Sequence, residues 1–426
     1  MRKIILTSIL FLASCSTEAS LLNLNKSKLE VSPTTSEITV QDFKSHIGYL
    51  ASDDLKGRAP GTIGDEMAKD YIVNFFNTVS QPAPRFVEVQ EHYVPAKRTR
   101  NIKPEDRTVK TYNIIATLPG NDPILKDEFI VIGGHYDTTA NPKKDINNGA
   151  DDNASGTSMV MELFEKYAKS NNHKRTLVFM LYGGEELGLL GSEYYVQNPT
   201  IDLSKIQLMV NLDMVGRLDN DRTLYLGGIP SATNFEKEIN PFLENSDFNI
   251  VAYSTGTTQR DNLFSASDHW NFYKSEVPVI FFFTGIHDDY HTPRDEKELV
   301  NYEGLKDIAD LADKVVGHFS DLNERLIYTK FDDAERPSRW SQIKVSLGAR
   351  PVYPTEKPEF KVAEITKDSP AFNAGVKKND VIKKIGKFEI NSMDNYLEAL
   401  LSLKPGDSST LTIQRKNKEI ILDISF

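Results

Sequence analysis

From Tyr112 onward the chain alternates continuous apolar runs with helical stretches, an order that few folds accept. The runs are Asn113–Leu118, Phe129–Gly133, Thr176–Tyr182, Gln207–Met214 and Val277–Phe283. Helical spacing falls at Ala154–Lys169 and Tyr302–Phe319, and earlier at Asp42–Leu50 and Glu66–Val79. A strand that is apolar at nearly every position is covered on both faces, as in a parallel sheet with helices above and below. The pattern predicts an α/β three-layer sandwich with a mixed, mostly parallel central sheet. Such sheets bind ligands in the loops beyond the C-terminal strand ends.

Polar residues collect in those loops. Ile130–Gly134 leads into His135-Tyr136-Asp137, and Asn148-Gly149-Ala150-Asp151-Asp152-Asn153 opens a helix. Leu181-Tyr182-Gly183-Gly184 precedes Glu185-Glu186, Val210–Leu212 precedes Asp213, and Asp288-Asp289-Tyr290 precedes His291-Thr292-Pro293. Taken singly, each has a structural explanation: Asp151-Asp152-Asn153 suits an N-cap, and Glu185-Glu186 suits a helix start. Asp213 is harder to dismiss, because an apolar strand leaves a carboxylate little water unless it is paired or holds a cation. Together they supply what a catalytic zinc site takes, imidazole nitrogen and carboxylate oxygen with one position left open. A pair of zinc ions sharing one carboxylate would need two further ligands each and a free carboxylate to handle protons.

This segment resembles metallopeptidase family twenty-eight, the co-catalytic zinc aminopeptidases, over roughly residues 40–320, including Leu-Ala-Ser-Asp-Asp-Leu-Lys-Gly-Arg at 50–58. The resemblance implies two zinc ions, the first held by His135 and Asp213, the second by Glu186 and His291, with Asp151 bridging. It implies that Glu185 is the general base, that Asp137 accepts from His135 to fix its tautomer, and that Tyr290 donates to the oxyanion. Asp152 would then serve backbone geometry. Asp268, beside His269 in a Ser-Asp-His segment, and Arg217, in Asp-Met-Val-Gly-Arg, are further substrate-site candidates, and Thr255–Asp261 is a polar loop expected to line the substrate pocket.

The flanks carry their own signals. A basic start, a short apolar run from Ile4 to Ala13 and Leu12-Ala13-Ser14-Cys15 resemble a bacterial signal peptide ending in a lipobox. Cys15, the single cysteine, is then the lipidated residue of an exported, membrane-anchored lipoprotein on the periplasmic or cell-surface face. Residues 1–15 are read as signal peptide, 16–38 as a flexible tether, 39–325 as the peptidase domain, 326–341 as a linker and 342–426 as a β-rich PDZ-like domain. The last resemblance rests on Ser369–Val376, Asp380-Val381-Ile382 and a Val345–Arg350 loop, where Leu347 and Gly348 would capture a peptide C-terminus.

With 50 Lys and Arg against 61 Asp and Glu, the net charge of −11 argues against nucleic acid as a partner. Expected partners are peptide substrates, the membrane through the anchor, and peptide C-termini at the last domain. Removal of N-terminal residues from peptides is the expected reaction. Glutaminyl cyclisation on the same fold and a non-catalytic peptide-binding lipoprotein are the competing readings.

Overall fold

The structure, a computed structural model, describes residues 37–79, 84–95, 108–139, 146–253, 264–330, 344–351, 360–390, 393–416 and 418–426. The signal segment with Cys15, the tether up to residue 36 and the Thr255–Asp261 loop lie outside them.

The first unit opens with helix α1 (Val40–Leu50), whose N-terminus is closed by a reciprocal box: Asp42 N–H donates to Thr39 Oγ1 and Thr39 N–H to the Asp42 carboxylate. Thr62 caps α2 (Ile63–Thr78) one-sidedly, its Oγ1 accepting from the Asp65 amide. Eight strands follow: β1 (Phe86–Pro95), β2 (Thr108–Leu118), β3 (Phe129–His135), β4 (Thr176–Tyr182), β5 (Ile206–Leu212), β6 (Thr223–Gly227), β7 (Asn249–Tyr253) and β8 (Val279–Phe283). Between and after them run α3 (Gly156–Ser170), α4 (Leu190–Gln197), α5 (Phe235–Glu244), α6 (His269–Lys274) and α7 (Tyr302–Asp321).

The sheet order is β1-β2-β4-β3-β5-β8-β6-β7. Its centre, β4-β3-β5-β8, is parallel, while β1, β2 and the β6–β8 pairing are antiparallel. Alternate residues feed opposite faces. Leu177, Phe179 and Leu181 of β4 join the core under α1, α2, α3 and α7, whereas Val178, Met180 and Tyr182 join the core under α4 and α6. This two-sided burial is why the central strands read as unbroken apolar runs.

The antiparallel β1 and the β6–β7 pair were not anticipated; their burial alternates or they are short, so the apolar signal is weak. The expected linker at 326–341 begins too early. Leu326 is buried in the first unit, Tyr328 bridges to Ala232, and Thr329 N–H donates to Ser231 O at 2.9 Å.

The C-terminal unit is an antiparallel sheet, β14-β13-β11-β10-β9, with β12 on β11. Its strands are β9 (Ala349–Pro351), β10 (Phe360–Ile365), β11 (Val381–Ile385), β12 (Phe388–Glu389), β13 (Ser408–Arg415) and β14 (Lys418–Ser425), with helices α8 (Pro370–Asn373) and α9 (Met393–Leu401). Its separate core includes Leu347, Phe360, Ile382, Tyr396 and Leu411. No helix among the described residues is long and apolar enough to cross a membrane.

Candidate metal centre

Strands β3 and β5 are parallel neighbours with Gly133 opposite Asn211, so two residues further on His135 and Asp213 emerge side by side. His135 Nε2 lies 3.3 Å from Asp213 Oδ1 and 3.4 Å from Asp152 Oδ1. Beyond the ends of β4 and β8, His291 Nε2 lies 3.0 Å from Glu186 Oε2 and 3.0 Å from Asp152 Oδ2. The trios His135/Asp152/Asp213 and Asp152/Glu186/His291 each bring one donor atom per residue within 4.8 Å of the others. Asp152 is common to both.

This corrects the expectation that Asp151 bridges. The segment Ala150–Ser155 is an irregular turn in which Asp152 leaves helical geometry (φ −105°, ψ 90°), and its carboxylate faces both histidines. Asp151 faces elsewhere: one carboxylate oxygen accepts from Gly216 N–H at 2.6 Å, and the other lies 3.1 Å from His287 Nε2. Two adjacent carboxylates in a Gly-initiated turn look alike in sequence, and only the backbone angles separate them.

Asp137 also departs from its expected role. His135 Nδ1 is 3.2 Å from the Asp137 main-chain carbonyl oxygen and 3.7 Å from its carboxylate. That carboxylate instead accepts from the amides of Glu185 and Glu186, at 3.1 and 3.4 Å, and so sets the Gly-Gly-Glu-Glu turn. Glu185 belongs to neither trio, and its Oε2 sits 3.9 Å from His135 Nε2. Tyr290 stacks on His291 with ring centroids 3.7 Å apart. Arg217 donates to Asp289 Oδ2 at 2.6 Å and to Leu299 O at 3.0 Å, which ties two loops together. Asp268 is wholly buried, and burial pushes its acid up to about 7.

Ser267, Asn153 and Arg58 lie in segments singled out in the sequence, but their supporting contacts, and Asp295 altogether, were not legible there. Ser267 Oγ donates to Asp213 Oδ2 at 2.7 Å and itself accepts from Asn211 Nδ2 at 2.7 Å. Asn153 donates to Leu212 O and accepts from the amides of Gly156 and Met214. Asp295 accepts from the amides of Asp151 and Asp152 at 2.9–3.1 Å. Arg58, fully buried, donates to the carbonyls of Leu50, Tyr136, Asn148 and Gly149. Arg58 closes the 50–58 stretch, but its reach to Tyr136, Asn148 and Gly149 is long-range and not encoded locally.

The electrostatics suit a cation. Burial drives the Glu185 carboxyl well above its ordinary range, with His135 opposing and Glu186 adding to the rise. Burial, then the Asp152 charge, lifts Glu186 to about 7. Burial would lower His291, but hydrogen bonds to Asp152 and Glu186 raise it to about 10. Asp152 is pulled well below the carboxylate range, against its burial, by His135 and His291. Glu186 Oε1 is buried without any hydrogen-bond donor, an orphan that a cation would satisfy. Imidazole and carboxylate together fit zinc.

In the C-terminal unit Leu347 is core, and its carbonyl accepts from Ala371 N–H at 2.9 Å. Gly348, at φ 74°, sends its amide to Ser346 Oγ at 3.2 Å and accepts from Thr366 N–H at 2.7 Å.

Residues 113–316 match the model of Peptidase family M28, and residues 345–426 match that of the PDZ domain. A probable leucine aminopeptidase of Arthroderma otae is 32% identical over 184 residues, covering 40% of this chain and 46% of the relative. Aminopeptidase YwaD of Bacillus subtilis is 29% identical over 202 residues, covering 45% and 41%. The chain thus spans about half the length of the curated relatives it matches. Among solved structures, the zinc aminopeptidase BSAP from Bacillus subtilis superposes with a TM-score of 0.53 at 18% identity, covering 66% of this chain and 95% of the other. LapA of Legionella pneumophila gives 0.53 at 19%, covering 76% and 79%. The chain carries a Peptidase family M28 domain followed by a PDZ domain.

Proposed function

We propose that this protein is a zinc-dependent aminopeptidase that binds two ions and removes N-terminal residues from peptides. The observation that carries the reading is the Asp152 carboxylate, one oxygen toward His135 and the other toward His291, at the junction of the two trios. Asp152 would be the shared ligand, with His135 and Asp213 completing one half and Glu186 and His291 the other. Bound zinc supplies Lewis-acid polarisation of the scissile carbonyl and acidifies water.

The chain's own residues do the rest. Glu185 stands beside both trios without belonging to either, and takes the proton from the attacking water and returns it to the leaving amine. Asp137 fixes the turn that aims Glu185 and Glu186. The Tyr290 hydroxyl donates to the oxyanion. Ser267 steadies Asp213.

The test uses a panel of aminoacyl-p-nitroanilides with the purified chain. Release of p-nitroaniline is expected to stop with chelator and return with zinc. Glu185→Gln is expected to keep both ions and lose about 10²–10⁴ of the rate. Retained turnover in that variant would remove Glu185 from the base role, and zinc binding without amine release on any substrate would overturn the aminopeptidase reading.

The remaining assignments also stand as proposals. Cys15 would carry a lipid that anchors the exported protein to a membrane, and Cys15→Ala would release it to the soluble fraction. The PDZ domain would bind peptide C-termini at the head of β9, an edge strand of its sheet.

A further inference from the structure

We infer that Asp151 and His287, neither of them a member of either trio, form a positioning pair that sets the spacing between the two halves of the centre. The inference rests on the zinc reading above.

Three of the five segments that carry the two trios meet at the Asp151 carboxylate. The first is the turn that holds Asp151 and Asp152 themselves. The second follows β5 from Asp213, and its Gly216 amide donates to Asp151 Oδ1 at 2.6 Å. The third follows β8 toward His291, and its His287 Nε2 lies 3.1 Å from Asp151 Oδ2. Asp151 is fully buried, so its two oxygens are bonded to these groups rather than to bulk water. A carboxylate bonded in this way is costly to rearrange, because a buried acceptor that loses its donor forfeits the full cost of its dehydration.

His287 is oriented for the task. Asp289 N–H donates to His287 Nδ1 at 3.3 Å, which leaves Nε2 to carry the proton toward Asp151. Arg217 Nη2, 3.5 Å from the same Nδ1, also holds Asp289 through a 2.6 Å ion pair. From the other side, Asp295 accepts the amides of Asp151 and Asp152, and its own carbonyl accepts Ala150 N–H at 3.1 Å. The backbone bonds fix the height of the turn. The Asp151–His287 bond fixes how far the His291 loop stands from it. Since His291 belongs to one trio and Asp213 to the other, the pair acts on the distance between halves and not on any one ligand.

The test compares the full chain with its His287→Ala, His287→Gln and Asp151→Asn variants, each stripped of metal. Zinc affinity is read by chelator competition, and geometry by the visible spectrum after cobalt loading. Glutamine can place a donor where Nε2 stood, and alanine cannot. Asp151→Asn still accepts from Gly216 but turns an amide NH2 against the His287 donor, so it reports on the same bond should the alanine variant fail to fold. His287→Ala and Asp151→Asn are expected to weaken the looser zinc by about 10–100-fold and to alter the two-ion cobalt spectrum. His287→Gln is expected to restore most of both, with metal-free thermal midpoints alike. Wild-type affinity and spectrum in His287→Ala and Asp151→Asn would overturn the pair, as would equal impairment in the alanine and glutamine variants. A wild-type chain that takes up no zinc would instead sink the metal reading itself.

Discussion

The two halves of the centre are built differently. His135 and Asp213 grow directly out of adjacent parallel strands, and His135 is 1% exposed. His291 hangs on a loop eight residues past the end of β8, with 36% of its side chain exposed and a positive φ of 54°. The first half inherits its geometry from the hydrogen-bonded ladder of the sheet. The second depends on cross-loop bonds through Asp289, Asp295 and His287. A sheet therefore delivers the His135–Asp213 pair almost at no extra effort, while the Glu186–His291 pair must be assembled from loops that something else holds still.

The largest effect should come from the residue that belongs to both halves. Asp152→Ala is expected to lower the affinity for both ions by more than about 100-fold, beyond the usual cost of losing a supporting partner, and zinc content after dialysis measures it. Loss of only one ion would mean that the halves do not share this ligand. A narrower effect is expected from the loop half alone: His291→Ala should retain one zinc per chain near wild-type tightness, because His135 and Asp213 keep their strand-end positions. Zinc content falling to zero in that variant would erase the distinction between the halves.

The smallest effect concerns what lies beneath the strand-end half. His269 stacks on Phe281, its Nδ1 lies 3.4 Å from Asn211 Nδ2, and complete burial pushes it down to about 3. Its folded value lies below the unfolded value of about 6.5. Its contribution is therefore fully present above that pH and is lost as the pH falls toward 3. Stability of the metal-free protein should drop by up to about 1.4 kcal/mol per pH unit across that window from this group, and His269→Phe should flatten the urea midpoint between pH 6.5 and 5. An unchanged slope would show that the ring is not the acid-sensitive element.

Much of this architecture is legible in the chain because its signals are local. Leu177–Leu181 is apolar at every position and lies in a strand buried on both faces. The polar residues placed after such strands do converge at one edge of the sheet, because parallel strands end on the same side. What the chain does not reveal is set by torsion and by distance. Which of Asp151 and Asp152 faces the histidines follows from a turn of the backbone, and Asp295 reaches that turn from 143 residues away. Asp137 illustrates a third obstacle: a carboxylate two residues from a histidine looks like its partner, yet the strand end aims it at the amides of another turn.

Arg58 gives the acidic cup a property of its own. Its guanidinium is enclosed and bonded to main-chain carbonyls alone, so no single acid owns its charge. Burial brings it down to about 10, yet Asp137, Asp152, Asp295 and Glu186 all work to keep it charged. It behaves as a resident counter-ion, fixed in place and shared by the whole basin. The basin can thus stay open and strongly acidic before any metal arrives, with its mutual repulsion damped from below instead of relieved by collapse. An arriving cation meets a cradle already shaped for it.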